Sequence, residues 1–197
     1  MSNIHSIQSV LNNHRIVAEA MAADNRLGET IDKAVRIFSD TLRNGKTIFA
    51  FGNGGSAADA QHFTAELVGR FYMERPGLRA VALTTDVSVI TSLCNDFGYD
   101  EVFTRQIEAL GQEGDSVLAI STSGNSPNVI KGIGTAMTKG MNVVGLTGKD
   151  GGAMAGMCDT VIIIPSDDTP RIQEGHVLVY HILCELIERE VCGKKVK

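Results

Sequence analysis

The sequence predicts an α/β fold, a doubly wound five-stranded parallel sheet with an extra layer of N-terminal helices. Three observations carry that expectation. After Asn44-Gly45, five short runs rich in β-branched and aliphatic residues recur along the chain, and near-continuous apolar runs belong to strands covered on both faces. Each run is followed by a turn-rich loop and a helical pattern, the alternation that builds parallel βαβ units. Ahead of the first run lie two long segments with apolar residues at helical spacing.

Taken in order, the first helix is expected from Ile4 to Met21, on Ile4, Ile7, Val10, Leu11, Val17 and Met21. The second, from Leu27 to Leu42, uses Leu27, Ile31, Ala34, Val35, Phe38 and Leu42. Strands are expected at Thr47 to Phe51, Arg79 to Leu83, Ser116 to Ile120, Asn142 to Leu146 and Thr160 to Ile164. With no linker, repeat or low-complexity stretch, residues 1–197 read as one domain, helices over about 3–44 and sheet over about 45–192. The sheet's faces also receive helices beginning near Ala57, Ser126 and Pro170, so the two N-terminal helices carry spare apolar surface. Spare apolar faces become interfaces, and several copies are expected to pack together, with Val17 and Phe38 in the contact.

Composition narrows the function. The chain has 18 Lys and Arg against 23 Asp and Glu, a net charge of −5, without a basic run; it lacks the electrostatic footprint of a nucleic-acid binder. Cys94, Cys158, Cys184 and Cys192 form no C-x-x-C pair or zinc-finger spacing, and reduced thiols in a cytoplasmic protein are expected. No basic segment followed by an apolar run opens the chain, so neither export nor membrane insertion is expected.

Ligands in open α/β sheets bind at the carboxyl edge of the strands, near helix N-termini. Ser121-Thr122-Ser123-Gly124-Asn125-Ser126-Pro127 leaves a strand and opens a helix. One hydroxyl would cap that helix; four in six residues suit a phosphate at the positive end of the helix dipole. Gly52-Asn53-Gly54-Gly55-Ser56-Ala57 fits the dinucleotide fingerprint formally, but no acidic residue ends the next strand at the required spacing, Asp86 coming 34 residues after Gly52. Gly45-Lys46-Thr47 resembles the end of a mononucleotide P-loop, yet Asp40 stands where the first glycine belongs and the segment precedes its strand.

His62 and Glu66 lie at i, i+4 on the helix opened by the glycine loop and so share one face. On the last helix, Gln173 and His181 are eight residues apart, about 12 Å at roughly 1.5 Å per residue. Either both lean toward one ion, or a neighbouring chain supplies partners to each. Nitrogen, carboxylate and amide donors are compatible with Zn²⁺, Mn²⁺ or Fe²⁺. His5, His14 and His176 read as surface or core residues without a chemical role.

Together, the runs Phe51 to Phe63 (FGNGGSAADAQHF), Cys94-Asn95-Asp96, Ser121 to Ser126 and Arg171-Ile172-Gln173-Glu174 resemble the sugar isomerase (SIS) family, and within it the bacterial phosphoheptose isomerases, over roughly Ile4 to Glu190. The resemblance implies a SIS-type three-layer sandwich and isomerisation of sedoheptulose 7-phosphate to D-glycero-D-manno-heptose 7-phosphate, the first step toward the heptose of lipopolysaccharide. It implies a homotetramer with active sites at subunit interfaces, and Zn²⁺ held by His62, Glu66, Gln173 and His181. Substrate contacts then fall on Asn53, Gly54, Gly55, Ser56, Glu66, Asn95, Asp96, Ser121, Thr122, Ser123, Ser126 and Gln173. Glu66 is the expected carbon base and His181 the acid at oxygen, with Asp96 opening the sugar ring or holding a hydroxyl. The DnaA initiator-associating protein, a binding module of the same fold, shares Gln61-His62-Phe63 and Arg171-Ile172-Gln173-Glu174 but lacks the carboxylate and imidazole that Glu66 and His181 provide here. Isomerisation needs such titratable groups, which favours an enzyme.

Overall fold

The computed structural model describes residues 3–193. Helices α1 (Ile4–Ala23) and α2 (Asn25–Arg43) meet at Asp24, whose carboxylate accepts hydrogen bonds from the N–H groups of Arg26 and Leu27 at 2.9 and 3.1 Å. That cap satisfies donors the first turn of α2 leaves open. The rest alternates: β1 (Ile48–Gly52), α3 (Gly55–Val68), β2 (Ala80–Ala82), α4 (Val87–Phe97), α5 (Val102–Leu110), β3 (Ser116–Ser121), α6 (Pro127–Thr138), β4 (Asn142–Gly148), β5 (Thr160–Ile164) and α7 (Thr169–Cys192).

All strand pairs are parallel, in the order β2-β1-β3-β4-β5. Side chains of successive strand residues leave opposite faces, and both faces are covered. Ile48, Ala50, Leu118, Ile120, Val144, Leu146 and Ile162 meet α2, α3 and α7 on one side. Phe49, Phe51, Val117, Ala119 and Val143 meet Phe103 and Ile107 of α5 and Val129 and Ile133 of α6 on the other. The doubly wound architecture is the one the alternating pattern predicts. Strand order reverses between β1 and β3, so the crevice of the switch point opens between the loops that follow them.

Three details depart from the sequence reading. No α-helix follows β4, only a 3₁₀ turn at Gly152–Gly156. The cause is local: Gly151 and Gly152 take φ of 89° and 55°, and a Cβ on Gly152 would stand 2.5 Å from the Ser123 carbonyl oxygen. Strand β2 has three residues rather than five, as an edge strand paired only with β1. Finally, the apolar face of α2 is not spare. Phe38 is wholly buried and packs on Phe63 with ring centroids 5.9 Å apart, and half-buried Val17 lies against the same core. The sheet takes up the face of α2, and the spare surface of the two N-terminal helices is on α1, where Ile4, Ile7, Val10 and Leu11 are exposed.

One buried ion pair ties α3 to α7. Glu188 of α7 accepts hydrogen bonds from the N–H groups of Phe71, Tyr72 and Met73 at 3.1, 2.8 and 2.9 Å and from Arg75 Nε at 2.9 Å. Arg75 also donates to the carbonyls of Glu66, Leu67, Gly69 and Pro76. Burial alone would raise the Glu188 carboxyl, but the three N–H groups and Arg75 hold it below the usual range. Removing one partner of such a pair strands the other charge and costs about 3–5 kcal/mol. Arg75→Ala should therefore lower the free energy of unfolding by about that amount in urea titrations; a loss below about 1 kcal/mol would show that the pair contributes little.

Candidate active site

Helices α3 and α7 lie against each other in step. The Gln173 side chain abuts Gly55, where a Cβ would meet Gln173 Nε2 at 2.1 Å. Seven residues further along each helix, the Tyr180 hydroxyl is 2.9 Å from His62 Nδ1. That register brings His181 beside His62, ring centroids 5.0 Å apart, with the rings nearly perpendicular. Glu66 closes the group, its Oε1 3.1 Å from His62 Nε2. Ligand atoms of His62, Glu66 and His181 all lie within 4.8 Å of one another, in a single chain.

Burial, and then the neighbouring His62, lower the His181 pKa below the ordinary imidazole value despite Glu66. A neutral imidazole has a lone pair to offer. The ring of Phe71 lies 5.6 Å from that of His181 and walls the group on the side of the Arg75 clamp.

Gln173 stands apart from this trio. It sits at the N-terminal end of α7, and eight residues of helix separate it from His181 by about 12 Å. Of the four residues expected to share an ion, one chain brings three together and places the fourth against the glycine loop.

At that loop Gly54 has φ 57° and ψ −117°, a backbone that side chains rarely adopt, and it starts α3. Ser56 is buried under the turn, and its N–H donates to the Asn53 carbonyl at 3.0 Å. The Asn53 carboxamide exchanges two 2.8 Å hydrogen bonds with that of Asn128 and accepts a 2.7 Å bond from the Tyr99 hydroxyl. Asn53 thus fastens the glycine loop to α6, a connection that neither Asn128 nor Tyr99 betrays by spacing. Asn95 and Asp96, near the end of α4, are exposed and joined by a 2.8 Å hydrogen bond. They precede Tyr99, whose hydroxyl bonds Asn53 of the glycine loop, by four and three residues.

In the serine loop the Ser121 hydroxyl lies 3.0 Å from that of Ser126 and 3.5 Å from that of Ser123. Ser126 occupies the N-cap position of α6, yet its side chain makes no capping hydrogen bond. Thr122 is half-buried beside them. Gly124, at φ 65°, would carry a Cβ 2.0 Å from the Gly151 carbonyl oxygen, so the loop after β4 presses directly on the serine loop. Met154 N–H donates to the Gly124 carbonyl and Ala153 N–H to Asn125 Oδ1, which fixes the hydroxyls at the N-terminus of α6.

Of the remaining three histidines, His5 is exposed on α1. His14 pairs with Glu174 at 2.7 Å, and His176 is buried 3.9 Å from Asp59 Oδ2. Burial pushes the His176 imidazole down to about 4 and the Asp59 carboxyl up to about 6. All four cysteines are free thiols, and burial pushes that of Cys158 up to about 12.

These features, a switch-point crevice with a hydroxyl-lined helix N-terminus, define a class: the SIS domain, whose family model matches residues 12–148. Curated relatives extend the match. The phosphoheptose isomerase of Geotalea daltonii is 50% identical over 192 residues, 98% of this chain and 99% of that protein. That of Aliarcobacter butzleri is 54% identical over 163 residues, 83% of this chain and 86% of the relative. Among solved structures, the phosphoheptose isomerase from Francisella tularensis superposes with a TM-score of 0.92 at 38% identity, covering 96% of this chain and 100% of the other. The one from Neisseria gonorrhoeae gives 0.89 at 40% identity, over 95% and 99%. The chain belongs to the phosphoheptose isomerase family of SIS-domain proteins, and it is an isomerase.

The Ser126 hydroxyl, turned to Ser121 rather than to the first turn of α6, separates a cap from a ligand site. Losing a capping side chain costs about 1 kcal/mol of stability. Ser126→Ala should leave thermal stability essentially unchanged and weaken binding of inorganic phosphate measured by calorimetry. The reverse pattern, lower stability with unchanged phosphate affinity, would make this serine a helix cap.

Proposed function

We propose that the protein converts sedoheptulose 7-phosphate to D-glycero-D-manno-heptose 7-phosphate through an enediol(ate). The meeting of Glu66 and His181 beside His62 carries this reading. Moving a carbonyl from C2 to C1 takes a proton from C1 and returns one to C2, while another passes between the two oxygens. Glu66, with a carboxylate oxygen free of His62, is the base that takes the C1 proton and returns it to C2. His181 exchanges the proton at oxygen. At the far end of the substrate, Ser121, Thr122, Ser123 and Ser126 hold the phosphate on the N-terminus of α6, and Asn53, Gly54, Gly55 and Ser56 line the approach beside Asn95 and Asp96. Binding energy at the phosphate then positions the reacting carbons.

The trio fits a divalent cation. Two imidazoles and a carboxylate are donors that Zn²⁺ accepts, and donors about 2.0–2.2 Å from a tetrahedral ion stand roughly 3.3 Å apart, close to the His62–Glu66 separation of 3.1 Å. We assign the site to Zn²⁺, with His62, Glu66 and His181 from one chain and Gln173 as the fourth donor. When bound, the ion supplies Lewis-acid stabilisation of negative charge on the substrate oxygens.

Gln173 lies too far along α7 to join its own chain's trio, which supports a shared site: Gln173 and the two binding loops from one copy facing the trio of another. Exposed Ile7, Val10 and Leu11 on α1 provide apolar surface for such packing. We read the assembly as a homotetramer of single SIS domains spanning residues 1–197. No helix among the described residues is long and apolar enough to cross a membrane, and we place the protein in the cytoplasm, supplying heptose for lipopolysaccharide.

Two experiments test this. Glu66→Gln keeps the shape of the site without its proton acceptor, so turnover of sedoheptulose 7-phosphate should fall by about 10² to 10⁴ with folding intact; rates within a few fold of the parent would remove Glu66 as the base. Gln173→Ala and Glu66→Gln proteins, each nearly inactive, should recover part of the activity when mixed and allowed to exchange subunits. Mixed assemblies as inactive as their parents would show that each chain builds its own site.

A further inference from the structure

The Tyr180 side chain is 1% exposed, yet its hydroxyl reaches the rim of the active site. It lies 2.9 Å from His62 Nδ1, while the opposite nitrogen of the same ring, Nε2, lies 3.1 Å from Glu66. The Tyr180 ring also packs edge-on against both imidazoles, with centroids 5.2 Å from His62 and 5.0 Å from His181. Among the described residues Tyr180 alone stacks its ring against both imidazoles, whereas Phe71 meets only that of His181.

A neutral imidazole carries one proton. With the proton on Nε2, His62 donates to Glu66 and its Nδ1 accepts from the tyrosine hydroxyl. Nε2 becomes a metal donor only when the proton sits on Nδ1, and Nδ1–H then needs an acceptor. A hydroxyl serves in both states because it donates and accepts, whereas a phenyl ring serves in neither. We propose that Tyr180 is a positioning residue that holds the His62 ring through Nδ1 and directs its Nε2 lone pair at the cation between Glu66 and His181. This rests on the metal reading given above. Tyr180 touches neither substrate nor ion; it acts through His62, as hydrogen-bond partners of ligating histidines do in other metal sites.

Tyr180→Phe removes one oxygen and keeps the ring that packs against both histidines, and circular dichroism should report an intact fold. The parent should bind Zn²⁺ stoichiometrically in competition with a chromophoric chelator, and the variant roughly 10- to 100-fold more weakly. Substituting Co²⁺ gives a second readout, in which the variant's visible spectrum should shift as His62 loosens. Nitrogen-15 NMR of the zinc-loaded parent, which needs no variant, should show His62 protonated at Nδ1 and metal-bound at Nε2. Equal affinities and superimposable Co²⁺ spectra, or coordination through Nδ1, would overturn the role of Tyr180 while leaving the metal site standing. A parent that takes up no Zn²⁺ would overturn both.

Discussion

The pairing of Glu188 with Arg75 is the constraint on which the active-site geometry depends. A buried ion pair is unfavourable unless nearly every donor and acceptor is satisfied, and here the carboxylate accepts four hydrogen bonds while the guanidinium makes five. Its partners are the end of α3, the segment from Phe71 to Pro76 and the last turns of α7. Glu188 is two helical turns beyond His181 on the same helix face, and Arg75 grips the carbonyl of Glu66 itself. The two groups that exchange protons in the proposed reaction are thus fixed, one through its backbone and the other through its helix, by one interaction outside the reacting zone. Phe71, whose N–H ends on Glu188, places its ring against His181 and completes that link.

A second constraint acts at the other end of the same helices. Parallel strands require crossovers, and the reversal of strand order between β1 and β3 opens a crevice at the carboxyl ends of those strands. Glycine makes its floor narrow: a Cβ at Gly52 would stand 2.7 Å from both the Ile120 carbonyl oxygen and the Ser56 Cβ, so the end of β1 sits this close to β3 and to the start of α3 only because Gly52 lacks a side chain. The Asn53–Asn128 pair then locks them. Positive ends of α3 and α6 face the same space, which is the electrostatic reason for anionic ligands to gather there.

Much of this was legible in the sequence because it depends on patterns of short range. Apolar runs and their spacing located all five strands, most sharply β1 and β3, whose residues are buried on both faces. The i, i+4 pair of His62 and Glu66 follows from helix geometry alone. The trio's third member and the clamp were not legible as contacts, because Glu66 to His181 and Arg75 to Glu188 span more than a hundred residues and depend on the register of α3 against α7. Likewise, nothing in the spacing of Phe38 distinguishes a face packed on a sheet from one packed on a neighbour; only the competition among α2, α3 and α7 for the same side decides it. The absence of an α-helix after β4 has a different cause: Gly151 and Gly152, both at positive φ, close the loop onto Ser123 and Gly124, and glycines in a loop look the same whether or not a helix follows.

The register of α3 on α7 also bears on the shared site proposed above. Two parallel helices packed in step carry matching residues at matching heights, so whatever meets at one height is separated by the helix rise from whatever meets at another. Gln173 meets Gly55 at the carboxyl edge of the sheet, and His181 meets His62 about two turns lower. Rotamer changes move a side chain by a few ångströms, not by the roughly 12 Å between those heights. In the shared site proposed above, a second copy brings its phosphate loop and amide to the exposed side of this chain's trio. A ligand spanning both copies would stabilise their association, since anything that binds only the assembled state shifts the equilibrium toward it. In such an arrangement the parallel packing that makes each half of the site rigid is also what makes a single chain incomplete.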